Sequence, residues 1–154
     1  MTTCKLADVL QEAAIGVLET MFFAEASSAG EDTATHSDAV ACLLESTGFE
    51  TGEFTIAIDR EALQILCCAF YGDEDDPSST QQQEMICELT NMIAGSTLSS
   101  YAPTHYCKLS SPTVCDMDRH LQTAIKYPQD HVATINLSIE GGLLSASCSL
   151  RTKP

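Results

Sequence analysis

The run Glu84-Met85-Ile86-Cys87-Glu88-Leu89-Thr90-Asn91-Met92-Ile93-Ala94-Gly95 sets a carboxylate and a carboxamide three residues apart, at Glu88 and Asn91. At about 100° per helical residue, Glu84, Glu88, Asn91 and Gly95 share one arc roughly 60° wide. Met85, Ile86, Leu89, Met92 and Ile93 form the neighbouring apolar stripe. Glu88 and Asn91 therefore point the same way, one turn apart. A carboxamide both donates and accepts hydrogen bonds, so it can hold a water molecule in one orientation. On spacing alone the pair also fits an ordinary polar helix face.

Other chemistries find less support. The eight cysteines contain no C-x-x-C pair, the usual zinc spacing. Most sit in apolar patterns such as Leu66-Cys67-Cys68-Ala69-Phe70, where a thiol acts as a small hydrophobe. A redox or metal reading would rest on Cys67 and Cys68 with Cys87 or Cys107. The histidines, His36, His105, His120 and His131, are scattered and assigned to no site. No Gly-x-Ser-x-Gly elbow is present to support a serine hydrolase.

The 154 residues carry 22 acids against 7 bases, a formal charge of −15. That surface repels phosphate backbones and argues against nucleic-acid binding. No basic amphipathic stretch suggests membrane docking, and no apolar run approaches the roughly 18–20 residues of a bilayer span. The N-terminal residues lack the apolar core of a leader, so the expected compartment is the reducing cytoplasm. A composition of 44% apolar and 19% charged residues fits one folded domain over residues 1–154.

The elements that must position Glu88 and Asn91 follow from periodicity. Leu10, Ala13, Ala14, Val17, Leu18, Met21 and Phe22 make a helical stripe over 6–23. Residues 26–37 read as a small, polar loop. Residues 38–46 and 53–59 read as an antiparallel hairpin, with Phe54, Ile56 and Ile58 on its buried face and Gly48 and Gly52 in its connection. A second helix spans 60–71, with Leu63, Leu66, Cys67 and Phe70 inward and Gly72 as its stop. The acidic run Asp73-Glu74-Asp75-Asp76 reads as a solvated loop before Pro77. The Glu88 helix starts after it, capped by Ser78, Ser79 or Thr80, and runs to about Gly95 or a little beyond. A short strand is expected at 105–109 and a helical turn within an irregular 116–128.

Residues 131–140 and 143–150 form a second hairpin about a Gly141-Gly142 turn. That register pairs Ile139 with Leu144, Leu137 with Ala146 and Ile135 with Cys148. The expected fold class is α+β, an antiparallel sheet with helices packed on one face. A loose twofold rhythm, helix then strands, runs through the chain.

Glu88-Leu89-Thr90-Asn91-Met92-Ile93-Ala94-Gly95 resembles the signature helix of the CheX branch of the CheC/CheX/FliM chemotaxis phosphatases. Val17-Leu18-Glu19-Thr20-Met21-Phe22-Phe23 resembles that family's first helix. Thr51-Gly52-Glu53-Phe54-Thr55-Ile56-Ala57-Ile58, leading to Phe70-Tyr71-Gly72, resembles its hairpin and second helix. Ser111-Pro112-Thr113-Val114 is similar to the proline loop after its signature helix. The likeness spans nearly the whole chain in the right order.

The resemblance implies a pseudo-twofold fold and a phosphatase acting on a phosphorylated CheY-type receiver domain. Asn91 would orient water for in-line attack, and Glu88 would pair with the receiver's active-site lysine. No cofactor is expected on this chain; Mg²⁺ would be the receiver's. Some relatives carry a second Glu-x-x-Asn on the first helix, but here the stretch reads Glu19-Thr20-Met21-Phe22. Phe22 replaces the amide within the apolar stripe, so one active site per chain is expected. The likeness also implies a homodimer joined through sheet edges, and the unprotected outer strand of the last hairpin is the expected edge. The alternative is a non-catalytic receiver-binding or flagellar-switch-like module of the same fold.

Overall fold

A computed structural model describes residues 2–30, 35, 38–72, 76–123 and 131–152. The chain forms α1 (Thr2–Phe22), β1 (Ser27–Ser28), β2 (Val40–Gly48), β3 (Glu50–Ile58), α2 (Arg60–Tyr71), α3 (Ser79–Tyr101), β4 (Cys107–Leu109), β5 (Thr113–Cys115), α4 (Met117–Thr123), β6 (His131–Ile139) and β7 (Gly142–Thr152). The strands make one antiparallel sheet in the order β1-β6-β7-β3-β2-β4, with β5 also paired to β2. The order is symmetric about the central β7–β3 pair. Each long hairpin carries short strands on its outer side, which is the pseudo-twofold α+β arrangement the sequence suggested.

Strand alternation sorts the sheet into two faces. Phe54, Ile56 and Ile58 stand beside Cys148, Ala146 and Leu144, and beyond them lie Ala133, Ile135 and Leu137. These residues and the stripes of α1, α2 and α3 form the buried core. Each large apolar side chain taken fully out of water there contributes about 1.5–3 kcal/mol. The opposite face carries Glu53, Thr55, Ser145, Ser147 and Ser149, and the short α4 lies against it.

Local signals set the helix ends. Ser78 caps α3: its Oγ accepts from the Gln81 N–H at 3.0 Å, and the Gln81 side chain accepts from the Ser78 N–H at 2.9 Å. Gly72 ends α2 in a left-handed conformation, its N–H donating to the Cys68 carbonyl.

Several details differ from the sequence reading. The last hairpin pairs Leu137 with Leu144, Ile135 with Ala146 and Ala133 with Cys148, two residues from the expected register. An even shift keeps every side chain on its face, so patterning cannot detect it. The physical reason lies at Asp59, the residue before α2. Gly142 enters β7 beside Asp59, whose carboxylate accepts from the Leu143 N–H at 2.9 Å. A Cβ on Gly142 would sit 2.4 Å from that carboxylate. Gly142 is thus needed in the strand, and the turn becomes Glu140-Gly141.

β7 is also an interior strand, between β3 and β6, and not the expected edge. Its row of small residues packs between two neighbours and needs no edge protection. The first hairpin has a tighter connection than expected. β2 continues to Gly48 by pairing with β4, and β3 begins at Glu50 by pairing with β7. Within the expected loop 26–37, Ser27 and Ser28 form β1 against β6. β5 and the full extent of α4 had no clear periodic signal. The acidic residues 73–75 and the tail of the 116–128 segment lie outside the described residues.

Candidate functional site

The middle of α3 is anchored on one side and open on the other. Leu89 and Ile93 are fully buried. Thr90 and Thr97, also buried, satisfy their hydroxyls on the carbonyls of Ile86 and Ile93, each at 2.7 Å. This leaves Glu88 and Asn91 as exposed side chains on the outward flank. They line one groove of about 450 Å³ with Glu84, Cys87, Leu109, Ser110, Ser111 and Pro112.

The facing wall is the loop between β4 and β5. Two hydrogen bonds tie it to β2: the Glu45 N–H donates to Ser110 Oγ at 2.9 Å, and the Ser110 N–H donates to the Glu45 carbonyl at 2.8 Å. Cys87 Sγ meets the Pro112 carbonyl oxygen at 3.8 Å. The carboxylate and the carboxamide therefore sit on a rigid helix opposite a pinned loop. Such a groove can hold a small anion or water near the amide while the carboxylate grips a cationic side chain.

A second groove, about 240 Å³, adjoins the first and shares Glu84 and Glu88 with it. Its other lining residues are Met21, Phe70, Tyr71, Met85 and Met92. Met21 and Phe70 were expected in the core from helical periodicity, but they are 45% and 47% exposed. They occupy the margin of their helix stripes, at a groove lined by residues of α1, α2 and α3. Neither this apolar margin nor Ser110 was identified from the sequence; an apolar residue at a stripe's boundary carries the same pattern whether buried or exposed.

A further groove, about 860 Å³, lies on the α1 side, beside Glu19 and Phe22. Its described lining holds no Asn or Gln. Phe22 is only 3% exposed, with its ring 5.9 Å from that of Phe70. The first helix thus uses its counterpart position for packing, as its stripe indicated.

The remaining candidates separate. Cys42, Cys67, Cys68, Cys87, Cys107, Cys115 and Cys148 are free thiols. Cys87 lies against Cys42, at 3.7 Å between sulfurs, and Cys67 Sγ instead reaches the Gln81 carbonyl at 3.9 Å. Among the described residues no group of three or more His, Cys, Asp or Glu is placed to hold a metal ion. His120, unassigned in the sequence, is buried between Thr55 and Ser145 on the far side of the sheet.

Solved structures of chemotaxis proteins share this fold. CheX of Vibrio vulnificus matches 97% of this chain and 98% of its own at 15% identity, with a TM-score of 0.76. CheX of Desulfovibrio desulfuricans matches 96% and 99% at 16% identity, with a TM-score of 0.74. The CheX-CheY-BeF3-Mg²⁺ complex of Borrelia burgdorferi matches 94% and 96% at 18% identity, with a TM-score of 0.68. No curated protein sequence matches the chain. The chain belongs to the CheX family: the family model described as "Chemotaxis phosphatase CheX" matches residues 40–136.

Proposed function

We propose that this protein dephosphorylates a phosphorylated CheY-type receiver domain, with Glu88 and Asn91 as its catalytic pair. The observation that carries the reading is their joint exposure on one flank of α3, over a groove walled by the pinned Ser110–Pro112 loop. Asn91 accepts a hydrogen bond from a water molecule and donates one to the phosphoryl oxygens. The water attacks phosphorus in line, the bond from phosphorus to the aspartyl oxygen breaks, and inorganic phosphate and a free carboxylate result. Glu88 pairs with the receiver's active-site lysine and fixes the docking. The rate gain is one of positioning and electrostatics, as phosphoryl transfer requires. Mg²⁺ is the receiver's metal; we assign none to this chain.

A folded protein substrate needs more surface than two side chains. The apolar groove of Met21, Phe70, Tyr71 and Met92 supplies it directly beside Glu88. Residues 1–154 act as one phosphatase domain, in the cytoplasm with the receiver. No described helix is long and apolar enough to cross a membrane. The protein forms a homodimer through the outer side of β6, which among the described residues pairs with β1 at Leu137 and Ser138 and accepts the Ala29 N–H at the Asn136 carbonyl.

The reading is tested by phosphorylating the host's receivers one at a time and following acyl-phosphate decay with and without this protein. Faster decay of at least one receiver supports it. Binding without faster decay for every receiver contradicts it and favours the non-catalytic, switch-like alternative.

A further inference from the structure

Cys87 precedes Glu88 on α3 and lines the groove, where it is partly exposed. Directly beneath it, on β2, stands Cys42, fully buried. The Cys42 thiol donates to Cys87 Sγ across 3.7 Å. The two sulfurs come from elements far apart in sequence, one reached from solvent and one not. Cys115 does not compete for Cys42. It is paired with Ala41, whose side chain is on the opposite sheet face from that of Cys42.

We infer that Cys42 and Cys87 are an oxidation site for peroxides, closing to a disulfide beneath the groove. Cys87 Sγ attacks one oxygen of hydrogen peroxide and the O–O bond breaks. The departing hydroxide takes the thiol proton and leaves as water, so Cys87 becomes a sulfenic acid. Cys42 Sγ then attacks that sulfur. The S–O bond breaks, and hydroxide leaves with the Cys42 proton as a second water. Two thiols lose two electrons and two protons, and one peroxide is reduced to two waters. Burial pushes the Cys42 thiol up to about 12, which makes Cys42 the second sulfur to react.

Closure must shorten 3.7 Å to an S–S bond of about 2.0 Å. That draws α3 toward β2 one residue from Glu88, and it withdraws Cys87 from the Pro112 wall. A 1 Å misplacement of a catalytic group can cost on the order of 100-fold in rate. Oxidation therefore switches the groove off, and a dithiol reductant switches it on again. This effect on rate rests on the proposed phosphatase reading; the disulfide itself does not.

The full-length reduced protein is treated with hydrogen peroxide, alkylated, and digested without reductant. The expected result is loss of two alkylatable thiols and a peptide linking Cys42 to Cys87, with phospho-receiver decay slowed about tenfold or more and restored by dithiothreitol. In Cys42→Ala, which cannot close the bond, dimedone should trap the Cys87 sulfenic acid. If that variant does not fold, the linked peptide from the wild-type protein still decides. Full retention of thiols, or a linkage between other cysteines, overturns the site. A Cys42–Cys87 linkage with an unchanged decay rate overturns the switch. Absent phosphatase activity in the reduced protein contradicts the proposed function and leaves the peptide map to judge the disulfide.

Discussion

Arg119 on α4 forks onto Glu53 on β3, across the sheet face that α1, α2 and α3 do not cover. Its Nη1 donates to Glu53 Oε1 at 2.9 Å and its Nη2 to Oε2. Thr123, one turn on, donates to the same Oε1 at 3.3 Å. The Glu53 side chain is 5% exposed and that of Arg119 27%. A bidentate pair of this kind fixes both the angle and the register of a short helix. It holds α4, which at seven residues has little stability of its own.

Removing Arg119 leaves a buried carboxylate without its main partner. Arg119→Ala should therefore lower stability by about 2–3 kcal/mol, below the full cost of breaking a buried pair because Arg119 is partly solvated. Arg119→Lys should recover only part of that loss, since an ammonium cannot fork. Urea titration of the three proteins checks the order.

His120 supplies a pH dependence. Its Nδ1 lies 2.8 Å from Thr55 Oγ1 and its Nε2 lies 3.1 Å from Ser145 Oγ. Burial lowers its pKa from 6.5 to about 4. The unfolded chain thus binds a proton here that the folded chain refuses. The stabilising contribution is complete above pH 6.5 and is lost progressively as the pH falls toward 4. The total loss is about 3 kcal/mol. Unfolding free energy of the wild-type protein should fall more steeply between pH 7 and pH 5 than that of His120→Asn. Equal slopes would show that His120 is solvated.

Phe22 stands where the resemblance to relatives with a second Glu-x-x-Asn would place an amide on α1. Phe22→Ala should cost about 3–5 kcal/mol, while the neighbouring Phe23, 89% exposed, should lose less than about 0.5 kcal/mol on replacement by Ser. Neither variant should change kcat on the receiver. A fall in kcat in folded Phe22→Ala protein would place catalysis on α1 as well.

Phe70 and Met21 reach the apolar groove beside Glu88. Phe70→Ser should raise KM for the phospho-receiver about tenfold with kcat little changed, the sign of a contact made equally in the bound and transition states. A lower kcat at constant KM would assign Phe70 to the chemistry instead.

Much of this was legible from pattern. The α3 stripe placed Glu88 and Asn91 on its polar flank because a 3.6-residue period separates faces without reference to the rest of the chain. The capping box at Ser78 and the stop at Gly72 are equally local. What pattern missed depends on distant partners. The two-residue shift of the last hairpin comes from Asp59, 84 residues before Leu143 in sequence. The interior place of β7 is set by β3, and nothing within residues 142–152 signals it. Ser110 joined the groove through its bonds to Glu45, a contact spanning 65 residues. Periodicity reports which face a residue occupies; it does not report which neighbour arrives there.

The most direct test of the account compares Asn91→Ala with the wild-type protein on the cognate phospho-receiver. Asn91 is exposed, so its loss leaves the fold intact. Single-turnover decay should slow by about 100-fold or more while the dissociation constant for the receiver changes little, because only the positioned water is lost. Decay at the wild-type rate by folded, receiver-bound Asn91→Ala would contradict the assignment.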